Sequence, residues 1–285
     1  MEPFQSNWQT GVTEQRPELF LLSGKEWSDG ISAGFTGRRG GISKAPYDSF
    51  NLAYHVEDQP EDVLENRRLL CQQLGFDPKG WVCGEQVHSN HIACVTAEDA
   101  GKGWADRASA FQDTDGLITD VPGILLTSFY ADCVPLYFID PVRRVVGLAH
   151  AGWKGTVADI AGEMIRTMER QYGSQAADLR AAIGPSIGMG QYEVDKRVME
   201  HVDVWTSRLE GNGQLPTYAK SGAPGKTWLD LKQLNRELMI FAGIQPQHIE
   251  VSQWCTHERH DLFFSYRADG GRTGRMASWA GIETE

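Results

Sequence analysis

Apolar residues along this chain change their period several times. Ile31-Ser32-Ala33-Gly34-Phe35-Thr36 alternates roughly as a strand does, whereas Val63, Arg67, Leu70 and Leu74 recur at the spacing of one helical face. The stretch Asp58-Gln59-Pro60-Glu61 predicts the start of that helix. Asp58 is placed to accept from the first-turn amides with Glu61 three residues on, Pro60 suits an early helical position, and Gly75 supplies the stop. Arg67 stands on this face where an apolar residue is expected.

Short runs follow at 81–84, 91–96, 117–119, 124–129, 134–139 and 145–149, punctuated by Gly, Pro and Asp. Several are apolar on both faces, which predicts strands buried between layers. From Thr156 to Tyr172 the positions Val157, Ile160, Met164, Met168 and Tyr172 mark an amphipathic helix ending at Gly173. A third helix is expected near Asp230 to Phe241. Ser207 to Thr227, rich in Gly, Pro, Ser, Asn and Lys, reads as a surface insertion, and residues 1–25 as a flexible or edge segment preceding one domain over 26–285. No internal repeat is evident. Mixed strands and helices in this order indicate a layered α/β or α+β domain.

Composition narrows the function classes. With 285 residues, 41% hydrophobic, the chain can bury a large core. A formal charge of -11 argues against nucleic acid or an anionic membrane as a partner, because neutralising phosphates needs clustered Lys and Arg. Met1 to Gly24 lacks a basic start and a long apolar run, so no secretory signal is read there, and no run approaches transmembrane length. Five scattered cysteines suggest reduced thiols and a cytoplasmic protein.

Candidate chemistry centres on Cys133 and His150, at the ends of two neighbouring apolar strands, with His88 at the mouth of a third. One thiolate and two imidazoles suit zinc with an open fourth position. Their gaps match no short local zinc pattern, so an inert buried cysteine and two hydrogen-bonded histidines remain an alternative. If a metal is held, these donors select zinc, or less readily copper, over magnesium or calcium. Asp132 is a candidate for orienting a ligand or accepting a substrate hydroxyl, or else simply faces water. His91 falls on the opposite face from His88 if the segment is a strand. The box from Cys255 to His260 is crowded and reads as a solvated loop. The glycine-rich stretch Ile183 to Gly190 lacks the lysine and hydroxyl of a nucleotide P-loop. Asn51, Arg67 and Arg267 are candidates for holding phosphate or ribose oxygens.

Several separate phrases stand in a family's order: 46-Pro-Tyr-Asp-Ser-Phe-Asn-Leu-Ala-53, Asn66-Arg67, Gln86-Val87-His88, Asp115-Gly116-Leu117-Ile118-Thr119, Ala131-Asp132-Cys133-Val134-Pro135, His150-Ala151-Gly152-Trp153, Ile183-Gly184-Pro185-Ser186-Ile187 and Phe264-Ser265-Tyr266-Arg267. Through them the chain resembles the YfiH-like, or laccase-like polyphenol oxidase, family. The resemblance implies a single YfiH-like domain of four layers, α/β/β/α, and a His88–Cys133–His150 zinc site. It implies a purine nucleoside phosphorylase acting on adenosine, inosine or guanosine with phosphate, with adenosine deamination and methylthioadenosine cleavage beside it. Cys133, His150 and Asp132 are the candidate catalytic residues, and the sequence leaves open whether the chain is a monomer or a homodimer. Many relatives carry cysteines where Ser186 and Gln191 stand here, which argues against a multicopper centre, and a second arginine where this chain has Ala268.

Two other functions fit the same residues. Cys133 with His150 or His88 as its base would make a metal-free cysteine hydrolase, acting on an amide such as a mis-incorporated amino acid of a peptidoglycan precursor. A zinc-stabilised module that binds a nucleoside without turning it over is the third.

Overall fold

The computed structural model describes residues 1–7, 16–24, 27, 30–209 and 217–284. Two six-stranded sheets dominate it. The first runs, in spatial order, Phe4–Ser6 (β1), Leu19–Leu22 (β2), Ile31–Thr36 (β3), Met276–Ile282 (β15), Leu125–Tyr130 (β7) and Trp81–Cys83 (β4). The second runs Ile249–Val251 (β14), Arg180–Ile183 (β10), Val134–Asp140 (β8), Val145–Ala151 (β9), Gly116–Thr119 (β6) and Ile92–Cys94 (β5). A small third sheet joins Glu193–Asp195 (β11), Lys226–Leu229 (β13) and Ala219–Ser221 (β12). The helices are Pro60–Leu74 (α1), Trp153–Val157 (α2), Ile160–Tyr172 (α3), Lys196–Leu209 (α4) and Leu231–Phe241 (α5).

The two large sheets lie face to face, and the strand alternation shows why their sequences are apolar throughout. On β8, Tyr137 and Ile139 enter the core between the sheets, with Phe35, Leu126 and Leu148 from their neighbours. Val134, Leu136 and Phe138 of the same strand face outward under α3 and α5, against Met164, Ile165 and Leu238. On β7, Leu126 and Tyr130 point inward while Leu125 and Phe129 lie on the α1 side with Leu70 and Cys71. Helices therefore cover both outer faces, which is the α/β/β/α layering expected. Each aliphatic or aromatic side chain so buried contributes on the order of 1.5–3 kcal/mol relative to exposure.

Several elements differ from expectation. Gln59, not Asp58, occupies the N-cap of α1 and makes no side-chain cap; Asp58 accepts from the Asn51 amide at 2.9 Å instead. Gly75 ends the helix in the left-handed conformation, as expected. The single helix expected from Thr156 to Tyr172 is two. Asp159 adopts φ 61° between them and caps α3 by accepting from the Gly162 amide, so its side chain competes with the helical path. Helix α4 has no counterpart among the expected elements; it buries Val202 and Trp205, with Val198, Met199 and Leu209 partly buried beside them. Ser207 to Thr227 is not all loop: Ala219–Ser221 pairs with β13, while residues 210–216 lie outside the described residues. Within 1–25, β1 occupies a sheet edge and β2 pairs with β3; residues 8–15 and 25 lie outside the described residues. Among the described residues no helix is long and apolar enough to cross a membrane.

Candidate metal centre

The chain leaves the first sheet at Tyr130 and enters the second at Val134, so Ala131–Cys133 is a crossing between layers. β8 pairs with β9 antiparallel, Pro135 opposite His150, which brings Cys133 at the start of one strand beside His150 near the end of the other. Gly116 of β6 pairs with Ala149, setting Asp115 next to His150, whose amide donates to the Asp115 carbonyl at 2.8 Å. Ladder register alone thus assembles thiol, imidazole and carboxylate.

His88 arrives differently. It lies on a turn beyond β4, in the left-handed region at φ 63°, and its side chain is exposed toward the cavity. Its Nε2 is 3.8 Å from the Cys133 Sγ, and its ring meets that of His150 edge-on with centroids 4.8 Å apart. The donor atoms of His88, Cys133 and His150 all lie within 4.8 Å of one another, and no other such group occurs among the described residues. The sequence-predicted ligands therefore converge. His91 does not join them; its Nδ1 pairs with the Thr114 hydroxyl at 3.1 Å.

Charge in the group is shared. Burial by itself would raise the Cys133 thiol, but the His150 imidazolium and hydrogen bonds from both histidines outweigh it and bring the thiol down to about 6. Burial would likewise depress His150; the Cys133 thiolate and the Asp115 carboxylate overcome this and raise it to about 9. Asp115, against its own burial, is held below the usual carboxylate range by His150 and by the Ser89 amide and hydroxyl. His150 Nδ1 sits 2.9 Å from the Asp115 Oδ1, so Nε2 is the nitrogen free to ligate. A thiolate and two imidazoles, soft and borderline donors with one face open, fit zinc.

That open face is the floor of a cavity of about 620 Å³. Trp153, Tyr192, Phe129 and Ile187 give it apolar walls; Arg267 and Arg275 give it positive charge. Among the described residues neither arginine forms an ion pair, whereas Arg107, also on the wall, donates through Nε to the Glu85 carboxylate at 3.0 Å. Arg275 spends Nη1 on the Thr273 and Gly274 carbonyls, and Arg267 lies over the Tyr192 ring.

The other candidate residues divide. Asp132 lines the cavity, yet its oxygens are engaged: Oδ1 accepts from the hydroxyls of Thr256 (2.7 Å) and Ser265 (2.8 Å), and Oδ2 from the Arg267 amide (2.7 Å). It sits between β7 and β8 at φ 90°, off either strand. Asn51 is fully buried and spent on Asp58, Ala53 and Arg275 backbone or side-chain partners. Arg67 is buried as well, donating to the carbonyls of Leu52, Gly103 and Trp104 beneath the Tyr54 ring. Neither lines that cavity; Arg67 lines a small pocket beside it, which shares His55, Glu85, Arg107 and Phe129 with the cavity wall. The segment 255–260 is solvated only in part: Cys255 accepts from the Gly188 amide and Thr256 is buried against Asp132, while Glu258 and His260 are exposed, and none of its side chains joins a metal-holding group among the described residues. Asp115, Tyr192 and Arg275 were missed as cavity or cluster residues. Only Asp115 left a trace, in the phrase Asp115-Gly116-Leu117-Ile118-Thr119.

Comparison with known proteins gives a consistent picture. The profile of the family described as multi-copper polyphenol oxidoreductase laccase matches residues 32–283. A Geobacillus stearothermophilus protein named purine nucleoside phosphorylase YlmD is 42% identical over 276 residues, covering 94% of this chain and 99% of that one. The Bacillus subtilis protein of the same name is 41% identical over 253 residues, 89% of each chain. The crystal structure of YlmD from Geobacillus stearothermophilus superimposes with a TM-score of 0.90 at 39% identity over the full length of both chains.

Proposed function

This chain belongs to the multi-copper polyphenol oxidoreductase laccase family, and on the strength of its His88–Cys133–His150 cluster we propose that it is a zinc-dependent purine nucleoside phosphorylase. The observation that carries the reading is the opening of that cluster into a cavity with aromatic walls and two arginines that form no ion pair among the described residues. The relatives' name, purine nucleoside phosphorylase, supports it. Adenosine, inosine and guanosine are the substrates, cleaved with phosphate to free base and ribose 1-phosphate.

His88, Cys133 and His150 would hold the ion, which when bound supplies a Lewis acid and an activated oxygen site. The chain's own residues do the rest. Trp153, Tyr192 and Phe129 offer flat apolar surface to a purine. Arg267 and Arg275, whose guanidinium groups have no carboxylate partner among the described residues, hold the phosphate dianion in a site partly closed to water, where charge is worth more than in solution. Asp115 keeps the His150 proton on Nδ1. Adenosine deamination and methylthioadenosine cleavage belong to the same proposal. The carboxylates lining the cavity for deamination are Glu85, paired with Arg107, and Asp132, whose oxygens are already bonded. The family name's copper chemistry is disfavoured: reducing dioxygen to water requires several coppers, and a single three-ligand group is present among the described residues.

Incubating the protein with inosine, guanosine, adenosine and methylthioadenosine, with and without phosphate, tests this. Base release that requires phosphate, is lost on chelation and returns with zinc is expected. Saturable nucleoside binding with no product at any phosphate concentration would make the chain a binding module.

One observation favours a second reading. Cys133, His150 and Asp115 also form a thiol–imidazole–carboxylate series with the thiol depressed to about 6, the arrangement of a cysteine hydrolase acting on an amide. Thiol acylation by metal-free protein, with no ion retained on purification, would support it over phosphorolysis.

A further inference from the structure

We infer that Asp115 is a positioning residue that sets both imidazoles of the cluster at once, wrapping the His88 turn around one carboxylate while fixing the proton of His150. The inference rests on the metal reading above.

Cys133 and His150 are placed by strand pairing, but no ladder reaches His88. What holds its turn is a ring of donors. The amides of Val87 and Ser89 donate to the Asp115 Oδ2 at 3.1 and 2.7 Å, the Ser89 hydroxyl to the same oxygen at 2.9 Å, and the His88 amide to Oδ1 at 3.1 Å. Three consecutive N–H groups pointing at one anion form a nest, which requires an unusual backbone; here that is the left-handed conformation of His88, rare for a residue with a side chain. His150 Nδ1 completes the shell at 2.9 Å from Oδ1. Asp115 is 1% exposed, so water cannot stand in for any of these donors.

An asparagine there has the same shape and half the accepting capacity, because its NH2 group cannot accept. At least two of the donors would then lose their acceptor. The turn relieves this by unwinding, which carries His88 away, or His150 relieves it by moving its proton to Nε2, which blocks ligation.

The test is zinc affinity by chelator competition on the full chain, in the wild type, Asp115→Asn, His88→Ala and the double variant. Asp115→Asn is expected to weaken zinc on the order of 10–100-fold. The double variant is expected to lose much less than the product of the single losses, because both changes remove the same ligand. The cobalt-substituted Asp115→Asn protein should shift its visible spectrum toward that of His88→Ala. If Asp115→Asn does not fold, Ser89→Ala removes one donor at the rim and should weaken zinc by about threefold. Nitrogen-15 spectra of the zinc-loaded wild type should show the His150 proton on Nδ1. Wild-type affinity in Asp115→Asn or Ser89→Ala, or penalties that multiply in the double variant, overturns the inference alone. A wild type that binds no zinc removes the metal reading with it.

Discussion

The amide of Arg267 lies 2.7 Å from the Asp132 carboxylate, so the residue preceding the cluster thiol holds, across 135 positions of chain, an arginine of the cavity wall. The same carboxylate fastens Thr256 and Ser265. Asp132 therefore ties the loop bearing Tyr266 and Arg267 to the strand end bearing Cys133. Its substitution by asparagine is expected to raise KM for phosphate on the order of tenfold, the equivalent of one charge-assisted hydrogen bond. Zinc stoichiometry should stay as in the wild type. A collapse of kcat at unchanged KM would instead make Asp132 catalytic.

Gly152 offers a purely steric probe. Its φ of -69° suits any residue, but a Cβ there would stand 2.6 Å from His88 Cδ2 and 3.1 Å from the Cys133 Sγ. The exposed His88 ring can swing away at little cost in stability, and in doing so it leaves the cluster. Gly152→Ala should hold its melting temperature within a few degrees while zinc affinity falls by about tenfold or more. Unchanged zinc binding would show that His88 is not a ligand.

Metal binding should depend on pH in a definite way. At neutral pH the apoprotein already carries the Cys133 thiolate, since that thiol lies near 6, and a protonated His150, since that ring lies near 9. Ligation requires the neutral ring, so zinc displaces about one proton, from His150 and not from sulfur. Apparent affinity should rise about tenfold per pH unit between about 6 and 9 and level off above. Below about 6 a second proton adds to the slope. Calorimetry in buffers of different ionisation enthalpy counts the protons; a thiol proton released at pH 7 would contradict this charge distribution.

Arg67 is a matter of stability. Replacing it with methionine keeps the stem but strips donors from the carbonyls of Leu52, Gly103 and Trp104. A loss of about 2–4 kcal/mol in urea unfolding is expected. Wild-type stability with a raised KM would return Arg67 to the substrate site.

Much of this architecture is legible along the chain because it depends on local periodicity. Strands apolar on both faces must lie between two layers, and residues 125–130 and 134–140 do so, with Leu126 and Tyr137 facing one core and Leu125 and Phe138 facing others. The α1 stop at Gly75 and the α5 cap at Asp230 follow from backbone chemistry within one turn. Short-range competition defeats the same reasoning at Asp159, where a side chain able to cap also breaks the helix.

Cys133, His150 and His88 stand out by residue type and by the phrases around them, so the sequence alone determined which donors to bring together. What it left open was who serves them. Asp115 reaches His150 through ladder register and His88 through three amides, Asp132 turns out to be bonded to a distant loop, and Asn51 and Arg67, which resemble anion binders, are consumed by carbonyls and neighbours inside the fold. Hydrogen-bond partners and the direction of a side chain depend on which segments pack side by side over long separations in the chain. Spacing carries no record of that; only the folded arrangement decided it.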